Sequence, residues 1–343
     1  MSTTIFRCDG SAAIGTGHVM RCLALAQSVH HLGNNVLFVM REDGGIEERV
    51  KREGFDVVCI QGKNDLQETA LLAREHGADW VVVDGYQFDS FYQEGIKNAG
   101  FKLLFIDDYG HCDHYHADIV LNQNVYASND LYGWREPYTR LLLGAKYVLL
   151  RKEFRSFETP RQCHGEGFCP STALRTGSTK LSRTITGVAP QDDTFQHILL
   201  TLGGFAQPER SSNIQRGLEN AGYAVSVTSG DADVPHLMQW ADIAVSAGGT
   251  TVYELAYMGI PSVLLVRADN QQAVAEGMTK AGCAVNLGRV EDVKIEEIIQ
   301  KVDALLNNTD QRRRMSEAGH KLIDGKGANR VLDAMRAYSP VLK

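Results

Sequence analysis

The sequence has no apolar run long enough to cross a bilayer, no excess of positive charge and no paired cysteine pattern, and each absence removes a class of function. A formal net charge of -7 argues against a broad phosphate-binding surface, so nucleic acid is not expected as a partner and any bound anion should be small and local. The start, Met1-Ser2-Thr3-Thr4, has neither a charged leader region nor an apolar one and enters a strand-like run at once. No membrane anchor is expected, and the protein is assigned to the cytoplasm. The 7 cysteines are scattered and odd in number, which excludes a disulfide framework and reads as reduced core thiols. A dinucleotide fingerprint is also missing. In Gly15-x-Gly17-x-x the closing position is Met20 where a small residue is needed, so no nicotinamide cofactor is expected.

What the chain does have is regular alternation. Strand-like apolar runs at 4–8, 36–40, 57–60, 80–83, 103–106 and 119–121 are separated by amphipathic stretches at 18–32, 46–53, 66–76 and 88–99. This pattern predicts an α/β protein with a parallel sheet and helices on both faces. In the first helix Val19, Leu23, Ala26 and Val29 or His30 make the stripe for the sheet, while His18, Arg21 and Leu25 lie on another flank. The pattern stops near 155 and restarts near 196, and a chain of 343 residues is expected to form two cores. The expected division is an N-terminal Rossmann-like domain over 1–154, an irregular linker or excursion over 155–195, and a C-terminal nucleotide-binding domain over 196–343.

Ligands of such sheets bind outside the carboxyl ends of the strands, and the glycine loop after the first strand is the strongest candidate there. Gly15 and Gly17 let the backbone approach a ligand, and the helix that follows points unpaired N–H groups and a partial positive charge toward it, which suits an anion. His18 stands in the first turn, where the positive end of the dipole favours a neutral imidazole able to accept a proton. Three polar clusters fall at strand ends: His18 with Arg21, Asp84-Gly85-Tyr86, and Asp107-Asp108-Tyr109. The run from Asp107 to His116 has the composition of a metal site, but no second Cys/His cluster is spaced to meet it, so it is read as a polar loop whose aspartates organise the site.

The second half repeats the device. Gly203 and Gly204 turn the chain after one strand, and Ala247-Gly248-Gly249-Thr250-Thr251 follows another. Thr250 and Thr251 are expected to cap the next helix, the glycines to bring N–H groups to a phosphate, and Glu254 to accept hydrogen bonds from a ribose. Asp269-Asn270-Gln271 opens a further helix at a strand end.

Taken in order, the segments 14–22, 81–86, 105–108, 117–124, 142–154, 202–204, 246–254 and 269–271 resemble the PseG/SpsG family of UDP-sugar hydrolases, relatives of the MurG-type glycosyltransferases. The resemblance implies a GT-B fold, two Rossmann-like parallel-sheet domains facing a cleft. It also implies that His18 is the catalytic residue, and Gly15, Gly17, Arg21, Asp84, Tyr86, Asp107 and Asn122 are expected to bind the substrate beside it. Gly203, Gly204, Ser246, Gly248, Gly249, Thr250, Glu254, Asn270 and Gln271 would hold the nucleotide, with no metal and no cofactor. The implied reaction is hydrolysis of UDP-2,4-diacetamido-2,4,6-trideoxy-β-L-altropyranose to UDP and free sugar, on the route to pseudaminic acid. The alternatives are a GT-B glycosyltransferase of surface polysaccharide synthesis and a nucleotide-sugar-binding module without catalysis.

Overall fold

The computed structural model describes residues 2–11, 15–41, 45–62, 64–156, 196–203, 208–228 and 233–338. The predicted excursion, from residue 157 on, and Gly204 lie outside them. The chain divides into two compact units, Met1–Ser156 with Asp324–Lys343, and Phe157–Ile323.

The first unit runs β1 (Thr3–Cys8), α1 (Gly17–His31), β2 (Asn35–Arg41), α2 (Ile46–Arg52), β3 (Asp56–Ile60), α3 (Asp65–Glu75), β4 (Ala78–Asp84), α4 (Ser90–Asn98), β5 (Lys102–Ile106), β6 (Ile119–Asn122), β7 (Arg140–Leu143) and α5 (Lys152–Arg155). Its strands form one parallel sheet in the order β3-β2-β1-β4-β5-β6-β7. The six expected strands are present, and β7 extends the sheet by one strand that the apolar pattern did not single out. Alternation sorts the side chains: Phe6, Phe38, Val82, Leu104 and Ile106 pack with α1, while Ile5, Leu37, Val81, Leu103 and Phe105 fill the core on the other face. Chain order reverses between β1 and β4, the switch point at which such sheets receive ligands.

The second unit runs β8 (His197–Thr201), α6 (Pro208–Asn220), β9 (Ala224–Val227), α7 (Val234–Trp240), β10 (Ile243–Ala247), α8 (Thr251–Tyr257), β11 (Ser262–Val266), α9 (Asp269–Lys280), β12 (Ala284–Arg289), α10 (Ile295–Leu306) and α11 (Thr309–Leu322). Its parallel sheet has the order β12-β11-β10-β8-β9, with the switch point between β8 and β10.

The last helix, α12 (Gly327–Arg336), corrects the expected boundary. It packs with the first unit, so the C-terminal domain expected over 196–343 gives up its tail from Asp324. The physical reason is packing: Ala328, Val331, Leu332, Ala334 and Met335 enter the α1 side of the first core. Gly327 lies so close to the backbone that a Cβ there would stand 2.0 Å from the Val148 carbonyl oxygen. With α12 present, α1 is buried nearly all round from His18 to Val29, while His30, offered above as an end of its stripe, is exposed. The cysteines among the described residues, Cys8, Cys22, Cys59, Cys112 and Cys283, form no disulfide. Among these residues no helix is long and apolar enough to cross a membrane.

Candidate functional site

The site of the first unit is built at its switch point. After β1 the chain turns through Gly15, whose φ of 87° a side chain would resist and whose N–H donates to the Ser11 carbonyl at 2.8 Å. Gly17 starts α1, and His18 and Arg21 leave its first turn toward the end of β4. Asp84 closes β4, paired in register with Cys8. His18 Nδ1 lies 2.6 Å from Asp84 Oδ1, with the histidine 6% and the aspartate 0% exposed. At that separation one atom must carry the proton, so Nδ1–H donates to the carboxylate, with Arg21 Nη2 also 3.1 Å from Nδ1, and in the neutral form of the ring the acceptor is then Nε2. Arg21 binds the outer side of the same carboxylate, Nε to Oδ2 at 2.6 Å and Nη2 to Oδ1 at 2.7 Å.

Arg21 also spans to Asp108, Nη1 to Oδ1 at 2.6 Å and Nη2 to Oδ2 at 3.1 Å. Burial alone would push the guanidinium down, but Asp108 and Asp84 more than reverse this and hold it charged. Burial likewise opposes ionisation of Asp84 and Asp108, and Arg21 overrides it in both, holding each carboxyl below its usual range. Tyr86 donates to Asp108 Oδ2 at 2.7 Å and presents its ring edge-on to His18, centroids 4.7 Å apart. Tyr109 leans on Tyr86 at 5.2 Å, and both rings keep an exposed portion, 43% and 37%.

Two expected residues sit elsewhere in this arrangement. Asp107 points to the opposite face of the sheet, where it accepts from the Asp108, Tyr109 and Gly110 N–H groups, from Tyr115 OH at 2.5 Å and from His111 Nδ1 at 2.8 Å. Asn122 is buried, with Nδ2 given to the Asp108 carbonyl and to Tyr132 OH and Oδ1 accepting from Asn124 N–H. The side chains that reach the cluster from these segments are Asp108 and Asn124, whose Nδ2 donates to Asp108 Oδ1 at 2.8 Å. A signal for Asp108 lay in the period of two. Leu104 and Ile106 face α1, so Asp108 continues their side and Asp107 that of Leu103 and Phe105. The cluster also differs from the anion-binding loop expected from the glycines: two carboxylates oppose one guanidinium, an arrangement that favours a positive neighbour.

In the second unit the expected residues again flank a switch point. Gly203 follows β8, Gly248 and Gly249 follow β10, and Gln271 lies in the first turn of α9. Gly248 is required by close approach, since a Cβ there would stand 2.9 Å from the Gln271 carbonyl oxygen. Gln271 Oε1 accepts from Arg267 N–H at 3.0 Å, and Arg267 Nη1 reaches the carbonyls of Leu202 and Gly203. Arg267 thereby ties together the turns after β8 and β11, a cation that the motif reading passed over because it belongs to no glycine turn. Ser246 is fully buried, its hydroxyl donating to the Ala247 carbonyl at 3.0 Å. Thr250 occupies the N-cap of α8 without a side-chain capping bond, which corrects the expected cap: its φ and ψ are already helical, at -61° and -24°. Glu254 is half-buried one turn further in, and Asn270 is exposed.

Two parallel-sheet α/β units of this kind are the GT-B architecture. The crystal structure of MurG from Acinetobacter baumannii superposes with a TM-score of 0.60 at 14% identity, covering 98% of this chain and 100% of that one. The glycosyltransferase family 28 C-terminal domain matches residues 176–331. Over 94% of both chains the protein is 24% identical to the spore coat polysaccharide biosynthesis protein SpsG of Bacillus subtilis. It is 28% identical to the UDP-2,4-diacetamido-2,4,6-trideoxy-β-L-altropyranose hydrolase of Campylobacter jejuni, over 44% of this chain and 52% of that enzyme. The chain thus spans about half the length of that enzyme and of one other curated relative. The protein is a GT-B, glycosyltransferase-like protein, and its resemblance to the PseG/SpsG family is borne out.

Proposed function

We propose that the protein is a cytoplasmic UDP-sugar hydrolase in which His18 activates the attacking water, and that its substrate is a UDP-linked diacetamido-trideoxy sugar of the pseudaminic acid route. The observation that carries this reading is the buried His18–Asp84–Arg21–Asp108 relay. Nε2 of His18 takes a proton from water as the water oxygen bonds to the anomeric carbon, the bond from that carbon to the phosphate oxygen breaks, and UDP leaves with the electron pair. Asp84 fixes the ring by its Nδ1–H and stabilises the imidazolium that forms, and Arg21 fixes Asp84. The surplus of carboxylate charge also suits the positive character that a glycosyl centre gains as its leaving group departs. Tyr86 and Tyr109 offer exposed aromatic surface beside the base for the sugar.

UDP recognition is assigned to the second unit: backbone at Gly203, Gly204, Gly248 and Gly249, with Ser246, Thr250, Glu254, Asn270 and Gln271 around it. No step is routed through a metal or cofactor, so turnover is expected to survive exhaustive chelation, measured as UDP release before and after EDTA.

A second reading, transfer of the sugar to an acceptor, is favoured by the family 28 domain match and by the MurG-like fold. Incubating the protein with a panel of UDP-sugars, with and without acceptor, separates the two. Release of UDP and free sugar in equal amounts without acceptor is the hydrolase outcome, and UDP release that depends on acceptor is the transferase outcome.

A further inference from the structure

The segment between β5 and β6 carries two more histidines beyond the one bound to Asp107. The rings of His114 and His116 lie with centroids 4.6 Å apart, and Glu136, just ahead of β7, brings one carboxylate oxygen to both. Glu136 Oε1 is 3.1 Å from His114 Nε2 and 3.5 Å from His116 Nδ1. The backbone fixes this junction from both sides: Tyr115 N–H donates to the Trp134 carbonyl and Glu136 N–H to the Tyr115 carbonyl, each at 3.0 Å. His114 N–H is held by Ser90 Oγ at 2.9 Å, and the His116 carbonyl by Tyr138 OH at 3.1 Å.

One ligand atom from each of the three side chains lies within 4.8 Å of the others. In a tetrahedral zinc site with nitrogen and oxygen ligands at about 2.0–2.2 Å, neighbouring ligand atoms stand about 3.3–3.5 Å apart. The His116–Glu136 separation of 3.5 Å already has the length of such an edge, the His114–Glu136 separation of 3.1 Å is slightly shorter, and the third edge, between the two imidazoles, is within 4.8 Å, so small side-chain rotations bring the three atoms onto one ion. Two imidazoles and one carboxylate suit zinc and its neighbours in the first transition row, whereas calcium and magnesium take oxygen. The side chains are 35%, 22% and 31% exposed for His114, His116 and Glu136, so an ion reaches them from solvent and water can complete the fourth position. Sequence spacing missed this group because its third member is a lone glutamate brought in by the turn before β7.

We propose that His114, His116 and Glu136 form a zinc site that staples the β5–β6 segment to the entry of β7. The segment it holds begins with Asp107, which is already fixed by the Asp108 and Gly110 N–H groups and by Tyr115 OH, so the ion's role is to stabilise the fold of this segment and turnover does not require it.

The test uses the full chain, freed of metal with EDTA and then titrated with Zn²⁺ against a chromophoric chelator and with Co²⁺ by visible absorption. Expected are one equivalent of bound zinc, a ligand-field band with cobalt and a raised unfolding temperature on zinc addition. His116→Ala should abolish all three. Glu136→Gln, which keeps size and polarity, should weaken zinc binding by at least about 10–100-fold, the loss that even outer partners of a metal ligand cause, with an unchanged circular dichroism spectrum. Binding well below one equivalent, or binding as strong in both variants as in the native protein, would overturn the assignment. Neither outcome depends on whether the protein hydrolyses UDP-sugars.

Discussion

Arg21 is the residue on which the first unit's cluster depends, because it is the guanidinium shared by two buried carboxylates. Removing one partner of a buried ion pair strands the other without solvent or counter-ion. Arg21→Ala is therefore expected to lose about 3–5 kcal/mol of stability, read from urea unfolding, as well as activity. His111 behaves differently. Burial disfavours its charge, but the Asp107 carboxylate more than compensates, and its pKa is pushed up to about 10. Asp107 in turn is held below the usual carboxylate range, its burial outweighed by His111 and Tyr115. A raised histidine pKa gives stability that is complete below the ordinary value of 6.5 and is lost as pH rises toward about 10. The destabilisation caused by His111→Asn should thus be largest near pH 6 and shrink by pH 10. Urea titrations of both proteins at the two pH values check this, and a constant difference would remove the ion pair from the account.

At the scale of elements, the strands that bury both faces were legible as apolar runs, and the turns that follow β1, β8 and β10 as glycines next to strand ends. Strand β7 was not, because Arg140–Leu143 is a short edge strand flanked by single turns of 3-10 helix, at Asn129–Tyr132 and Ala145–Tyr147, and not by long amphipathic helices. Nor was the return of α12 to the first unit. Its amphipathic stripe says that it packs, and the choice of partner shows only in tertiary contacts, the apolar stripe against the α1 side of the first core and Gly327 against Val148. That contact is testable. A methyl group at Gly327 would meet backbone atoms at 2.0–2.7 Å, which cannot yield as a flexible side chain does. Gly327→Ala should cost about 1–3 kcal/mol in a thermal or urea melt, and an unchanged melt would mean that α12 contributes little to the first core. In the second unit, Glu254→Ala should weaken UDP binding by about 1.5–3 kcal/mol if its carboxylate receives the ribose hydroxyls. Equal affinity by calorimetry would take Glu254 out of the nucleotide site.

For the whole molecule, the sequence indicated two parallel-sheet units with their functional groups at strand ends, and the topology adds that both sets flank the reversal of strand order. The period of two separates Asp108 from Asp107, but composition and spacing could not convey that Asp84 holds His18, since this depends on register across β1 and β4. The central claim is that His18, with its Nδ1 proton held by Asp84, activates water against a UDP-sugar. It is tested most directly by measuring acceptor-free UDP release by the native protein and by His18→Asn, with UDP affinity determined for both. His18→Asn keeps a polar side chain of similar size that cannot accept a proton, so the rate should fall by about 10²–10⁴ while UDP affinity changes little. A near-native rate in His18→Asn, or no UDP release from the native protein without an acceptor, would contradict the account.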